Sequence, residues 1–127
     1  MSETIVHTSR YEYPETVERI VKALSDSGTT LFANIDQAAA AKSAGLSLRP
    51  TTLLVFGNPR GGTPIIDAFP LAALDLPLRL LIWEEGGATK IAHVGMREPL
   101  ERHGVTGKDA LISAMDRALE TLVSTVA

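Results

Sequence analysis

The residues best suited to chemistry stand where an apolar run stops. Gly57-Asn58-Pro59-Arg60-Gly61-Gly62-Thr63 follows Leu53-Leu54-Val55-Phe56 and precedes Pro64. A glycine-rich turn between a buried strand and a helix N-terminus lets backbone N–H groups converge on an anion, and the helix dipole adds attraction. Arg60 would supply a cation. The spacing is not that of a P-loop, because no Lys-Ser/Thr follows Gly62, nor that of a dinucleotide fingerprint. The structural alternative gives Asn58 and the glycines a turn geometry and makes Thr63 a plain helix cap. A small-molecule site is expected at Gly57, Asn58, Arg60, Gly62 and Thr63 with Asp36 nearby, the cofactor or ligand being left undefined.

His7, His93 and His103 titrate near neutrality without help, so a general base or a ligand contact would be drawn from them. His93 and His103 join the ligand-binding candidates. With Asp36 or Asp75 as the orienting carboxylate, either would instead serve as the acid–base group of an enzyme of unassigned class. The bland readings are a packing residue for His93, between Ala92 and Val94, and a helix-end cation for His103, beside Gly104. No two histidines share a helical or strand spacing. A metal centre would need Asp36, Asp67 or Asp75 to converge from distant segments, and none is expected. There is no Gly-x-Ser-x-Gly elbow to support a serine nucleophile. The adjacent Glu84 and Glu85 read as a solvated turn, and Trp83 and Phe69 as core aromatics able to stack on a planar ligand.

The elements that must position these residues follow from periodicity. Thr4 to Tyr11 alternates as a first strand, and Pro14 opens an amphipathic helix through Val17, Ile20, Val21 and Leu24, closed by Gly28. Thr30 to Ile35 reads as a half-buried strand. Asp36 caps a short alanine-rich helix, Gln37 to Ala44, which stops at Gly45. Thr51 to Phe56 lacks a clean alternation and is expected to be covered on both faces or to cross the sheet centre. Gly57 to Gly62 is expected to be a loop, with Thr63 and Pro64 as cap and first residue of a short helix ending by Pro70. Leu78 to Trp83 and Thr89 to Val94 form an antiparallel pair across Glu84-Glu85-Gly86-Gly87. Thr106 and Asp109 are a variant capping box for a last long helix whose apolar face carries Leu111, Ile112, Met115, Ala118, Leu119, Leu122, Val123 and Val126.

Composition bounds the function classes. The chain has 127 residues, 45% hydrophobic and 21% charged, enough for one folded domain over 1–127 and too apolar for disorder. Twelve Lys+Arg against 15 Asp+Glu leave a net charge of −3, which removes the electrostatic basis for nucleic-acid binding. With no cysteine there is no disulfide, thiolate zinc site or cysteine nucleophile. No apolar run approaches the ~18 residues needed to cross a bilayer, and Met1-Ser2-Glu3-Thr4 opens no signal sequence, so a cytoplasmic protein without membrane partners is expected. The mean hydropathy of +0.12 hints at a subunit interface and hence a homodimer, which leaves a dimeric interaction module as a third reading beside ligand binding and an enzyme.

Ile35-Asp36-Gln37-Ala38-Ala39, Ala44-Gly45-Leu46, Phe56-Gly57-Asn58-Pro59, Gly62-Thr63-Pro64, Leu74-Asp75-Leu76-Pro77-Leu78 and Arg102-His103-Gly104 together resemble the domain-of-unknown-function 302 family across nearly the whole chain. The resemblance implies an α+β fold: a curved antiparallel sheet with helices packed on one side, in a TATA-binding-protein-like topology, often in a homodimer. It assigns no activity. The fold alone would not transfer DNA binding, because function lives in the site. Gln37 stands where the family commonly carries a histidine after the aspartate, so any site that depends on that histidine is lost here.

Overall fold

The computed structural model describes residues 3–127, so Met1 and Ser2, the start of the stretch read for a signal sequence, lie outside it. Five strands form one antiparallel sheet in the order β1-β5-β4-β3-β2: β1 Thr4–Thr8, β2 Thr30–Asp36, β3 Thr51–Gly57, β4 Leu78–Glu85 and β5 Ala88–Val94. The expected fold class is the observed one. Between and after the strands run α1 Tyr13–Asp26, α2 Gln37–Ser43, α3 Pro59–Ala68, a 3-10 turn Pro70–Leu74, α4 Arg97–Arg102 and α5 Asp109–Ser124.

The register shows why the two sheet faces differ. Thr52, Ile82, Ile91 and His7 are aligned across four strands, and Leu54 lies opposite Leu80. Leu54, Leu80, Ile82 and Ile91 are wholly buried and meet Ile20 and Leu24 of α1 and Ile112, Leu119 and Val123 of α5. One step along each strand the side chains reverse. Ile35, Leu53, Leu81, Ala92 and Val6 therefore make an apolar row across all five strands on the other face, where Val6 and Ile35 are exposed.

Several boundaries differ from expectation for local reasons. β1 ends at Thr8 because the chain then turns: Ser9 N donates to Thr89 O, but Arg10 N donates to Val126 O at the end of α5. β3 is an interior strand of the sheet, between β4 and β2, but is not covered on both faces; Thr52, Leu54 and Phe56 are buried and their neighbours half-exposed, since the helices lie against one face of the sheet. The hairpin turn is tighter than expected, with β4 and β5 running up to Gly86-Gly87, whose positive φ values suit a two-residue turn. α4 was not anticipated. α5 begins at Asp109 behind Lys108, which makes no side-chain cap bond, so the Thr106 box is not its cap. No helix among the described residues is long and apolar enough to cross a membrane.

Candidate functional site

The segment expected to be a loop is mostly helix. Asn58 is the N-cap of α3, with its Oδ1 accepting from Arg60 N at 3.0 Å. Its carbonyl oxygen accepts from Gly61 N at 2.9 Å and Gly62 N at 3.0 Å. Pro59 at the first helical position has its φ preset for the helix and no N–H to satisfy, so the helix starts five residues before Pro64. Thr63 is consequently inside α3 and caps nothing, and Pro64 omits one rung of the ladder. The glycine amides thus serve the protein's own oxygens, and the expected anion nest is not formed.

What the segment does border is a hollow of about 370 Å³. Its floor is Phe56, Gly57 and Leu78 at one end of β3 and β4, and its first wall is α3 through Gly61, Gly62 and Ile66. The second wall is α5, through Leu111, Ala114, Met115 and Ala118, and Leu76-Pro77 closes the side. Phe32 stands at the rim. A register shift between Leu31 and Ala33 leaves it unpaired in β2, and its ring approaches Gly57, where an added Cβ would lie 3.8 Å from it and 3.4 Å from Pro77 Cβ. A side chain at Gly57 would thus make ordinary van der Waals contacts with Pro77 and Phe32.

Gly61 and Gly62 face open space instead. Both lie in α3 without positive φ, and a Cβ on either would meet nothing within 4 Å. Glycine inside a helix costs about 1 kcal/mol relative to alanine. No contact within the described chain needs that sacrifice, so the bare backbone leaves room in the hollow.

The Leu76-Pro77 wall is held from behind. Asp75 Oδ2 accepts from His103 Nε2 at 2.6 Å, with the two side chains 17% and 15% exposed, and Arg79 and Arg102 lie 3.5 and 3.6 Å from the same carboxylate. The peptide bond between Leu76 and Pro77 is cis. Of the acid–base pairings considered, His103 with Asp75 is formed, but neither residue lines the hollow.

The other candidates are dispersed. Asp36 caps α2, accepting from Ala39 N at 2.9 Å, and borders a different depression with Tyr13 and Lys42. It pairs with Thr52 while Thr30 pairs with Gly57, which puts roughly 17 Å of strand between Asp36 and the glycine segment. Arg60 is exposed and outside the lining. His93 is 4% exposed and stacks on His7 with ring centroids 5.7 Å apart. Both its ring nitrogens and His7 Nε2 are buried without a hydrogen-bond partner among the described residues. Burial pushes the His93 pKa down and the His7 charge adds to this, against the attraction of Glu120 and Asp116. No group of three or more metal-ligating side chains comes together among the described residues.

Sequence reasoning thus found one wall of the hollow and missed the rest. Leu111, Met115 and Ala118 were legible as an apolar helix face, but nothing in their spacing says that this face stops short of its neighbour. Phe32 was hidden by a bulge, which single-sequence alternation does not reveal.

Comparison with known proteins agrees with this fold. A family model described as Domain of unknown function DUF302 matches residues 5–122. The crystal structure of an uncharacterized conserved DUF302 protein from Bacillus stearothermophilus superposes with a TM-score of 0.87 over 98% of each chain at 18% identity, a likeness of fold. The fluoride-specific ion channel FluC 1 of Brucella suis is 44% identical over 78 residues, 61% of this chain and 31% of its own. The NAD kinase of Mycolicibacterium paratuberculosis is 30% identical over 126 residues, 94% of this chain and 39% of its own. The chain thus spans about a third of the length of these curated relatives.

Proposed function

Because the chain belongs to the DUF302 family, whose description names no activity, we propose from its geometry that it binds a small molecule in the hollow between α3 and α5 and works as a homodimer. The observation that carries the binding role is the pair Gly61-Gly62, helical glycines that face open space beside a 370 Å³ cavity. Ligand pockets are concave and mostly apolar with a few polar groups at one end, and this hollow has that make-up in Thr29, Asn58 and Thr63. The expected contact set contracts accordingly: Gly57, Asn58, Gly62 and Thr63 remain, while Asp36, Arg60, His93 and His103 lie elsewhere.

The dimer reading is supported by the row Ile35, Leu53, Leu81, Ala92 and Val6 on the face opposite the helices. A sheet face of this kind is stable in water when another layer covers it, and a second copy supplies that layer. The setting proposed is the cytoplasm, the compartment expected above. The channel and kinase names of the partial relatives are not carried over, since no described helix can span a membrane and the matched stretch is a minor part of each.

Thermal-shift screening of small molecules against the wild type and Gly62→Leu tests the binding role. Ligands are expected to raise the melting temperature of the wild type and leave the blocked variant unmoved; equal shifts in both would move the site elsewhere. Light scattering is expected to give twice the 13.6 kDa chain mass, and Leu81→Glu is expected to halve it. A wild-type mass of 13.6 kDa would end the dimer reading.

A further inference from the structure

The chemistry of the lining narrows what the hollow can take. No Asp, Glu, Lys, Arg or His lines it. Arg60, the nearest cation in sequence, is exposed outside. The amides of Arg60, Gly61 and Gly62 are committed to Asn58 at 2.9 to 3.0 Å, so the start of α3 offers these N–H groups to no anion. A carboxylate or phosphate that enters it gives up hydration and gains no counter-charge, a cost of up to several kcal/mol in the apolar interior that falls toward the exposed rim at Asn58 and Thr63.

The polar groups that remain are neutral. Asn58 spends its side-chain oxygen on the Arg60 amide, which leaves its NH₂ as a donor. Thr63, five residues further along α3, also lines the hollow and carries a hydroxyl. Both are suited to a single uncharged oxygen. Away from them the surface is Phe32, Phe56, Leu76, Leu111 and Met115, the last able to adjust its shape to an irregular guest. At about 30 Å³ per water-sized group, 370 Å³ accommodates roughly a dozen.

Resting on the binding role proposed above, we infer that the ligand is an uncharged, largely apolar molecule with about a dozen non-hydrogen atoms and one terminal oxygen function, of the class of a medium-chain alcohol, aldehyde or ketone, held by Asn58 and Thr63. This overturns the expectation of a phosphate-like anion at the glycine segment. It makes charge the main axis of selectivity: the alcohol binds and the acid of the same chain length does not.

The test uses the full chain at pH 7.5, with the neutral naphthalene ketone prodan as fluorescent probe and 1-decanol, decanoate and decyl phosphate as competitors. Prodan emission is expected to rise saturably on wild-type protein, and decanol to displace it at least tenfold more effectively than either anion. Asn58→Ala with Thr63→Val is expected to weaken decanol at least fivefold. Displacement by decanoate or decyl phosphate as strong as by decanol would overturn the neutral class while leaving the hollow as a site. Absence of both saturable prodan binding and a decanol-induced shift of the Met115 methyl resonance, or undiminished binding to Gly62→Leu, would overturn the site as well. Where Gly62→Leu does not fold, the Met115 methyl resonance decides: it is expected to shift on titration with decanol, and a resonance that stays put refutes the site.

Discussion

Replacing both helical glycines, Gly61→Ala and Gly62→Ala, tests the structural argument and the functional one together. Gly62, the fourth residue of α3, gains close to the full helix-interior difference of about 1 kcal/mol. Gly61, in the first turn where fewer bonds depend on it, gains about half as much. Neither methyl meets an atom within 4 Å, so no steric cost is subtracted, and the sum is about 1.5 kcal/mol. For 127 residues the unfolding entropy is about 270 cal/mol/K, which converts this gain into a rise in melting temperature of about 6 °C. Circular dichroism melting and urea denaturation with an unchanged slope check it. Both glycines line the hollow, so added methyls are expected to reduce its space and prodan affinity to fall as stability rises. A lower melting temperature would mean that the backbone here needs glycine after all. Stabilisation without loss of probe binding would mean that the glycines leave room for nothing.

Three further outcomes are expected. The unfolded chain protonates His93 at about 6.5 and the folded chain only at lower pH, so the unfolded state holds more protons in that interval and stability falls as pH drops below about 6.5; urea titrations at pH 7.5 and 5.5 should show the decline in the wild type and a shallower one in His93→Leu. Asp75→Asn removes the carboxylate shared by His103, Arg79 and Arg102 and is expected to cost about 1.5–3 kcal/mol in urea denaturation and to weaken prodan binding through the Leu76-Pro77 wall; unchanged binding would separate the anchor from the site. Leu80→Ala, at a wholly buried centre of the sheet, is expected to cost about 2–5 kcal/mol by the same measurement, and a loss under 1 would displace the core from that strand face.

What was legible in advance followed from local causes. Alternation and helical period marked out the strands and the apolar faces of α1 and α5, and Asp36, Gly45 and the glycine pair at Gly86 mark ends through capping and turn geometry that a few neighbouring residues determine. At Asn58-Pro59 two local signals competed with those of Thr63-Pro64, and the earlier cap prevailed because it satisfies amides that the later one would strand.

The site itself was not a local matter. Whether backbone amides at Gly61 and Gly62 greet an anion or their own Asn58 depends on where the helix begins, and whether Met115 and Ala118 pack or line a void depends on how far α5 stands from α3. The sequence determined which faces are apolar and which residues are small enough to leave space. Only the tertiary structure decided where that space remains, because a cavity is a mismatch between elements that are distant in the chain, and no single element carries its record.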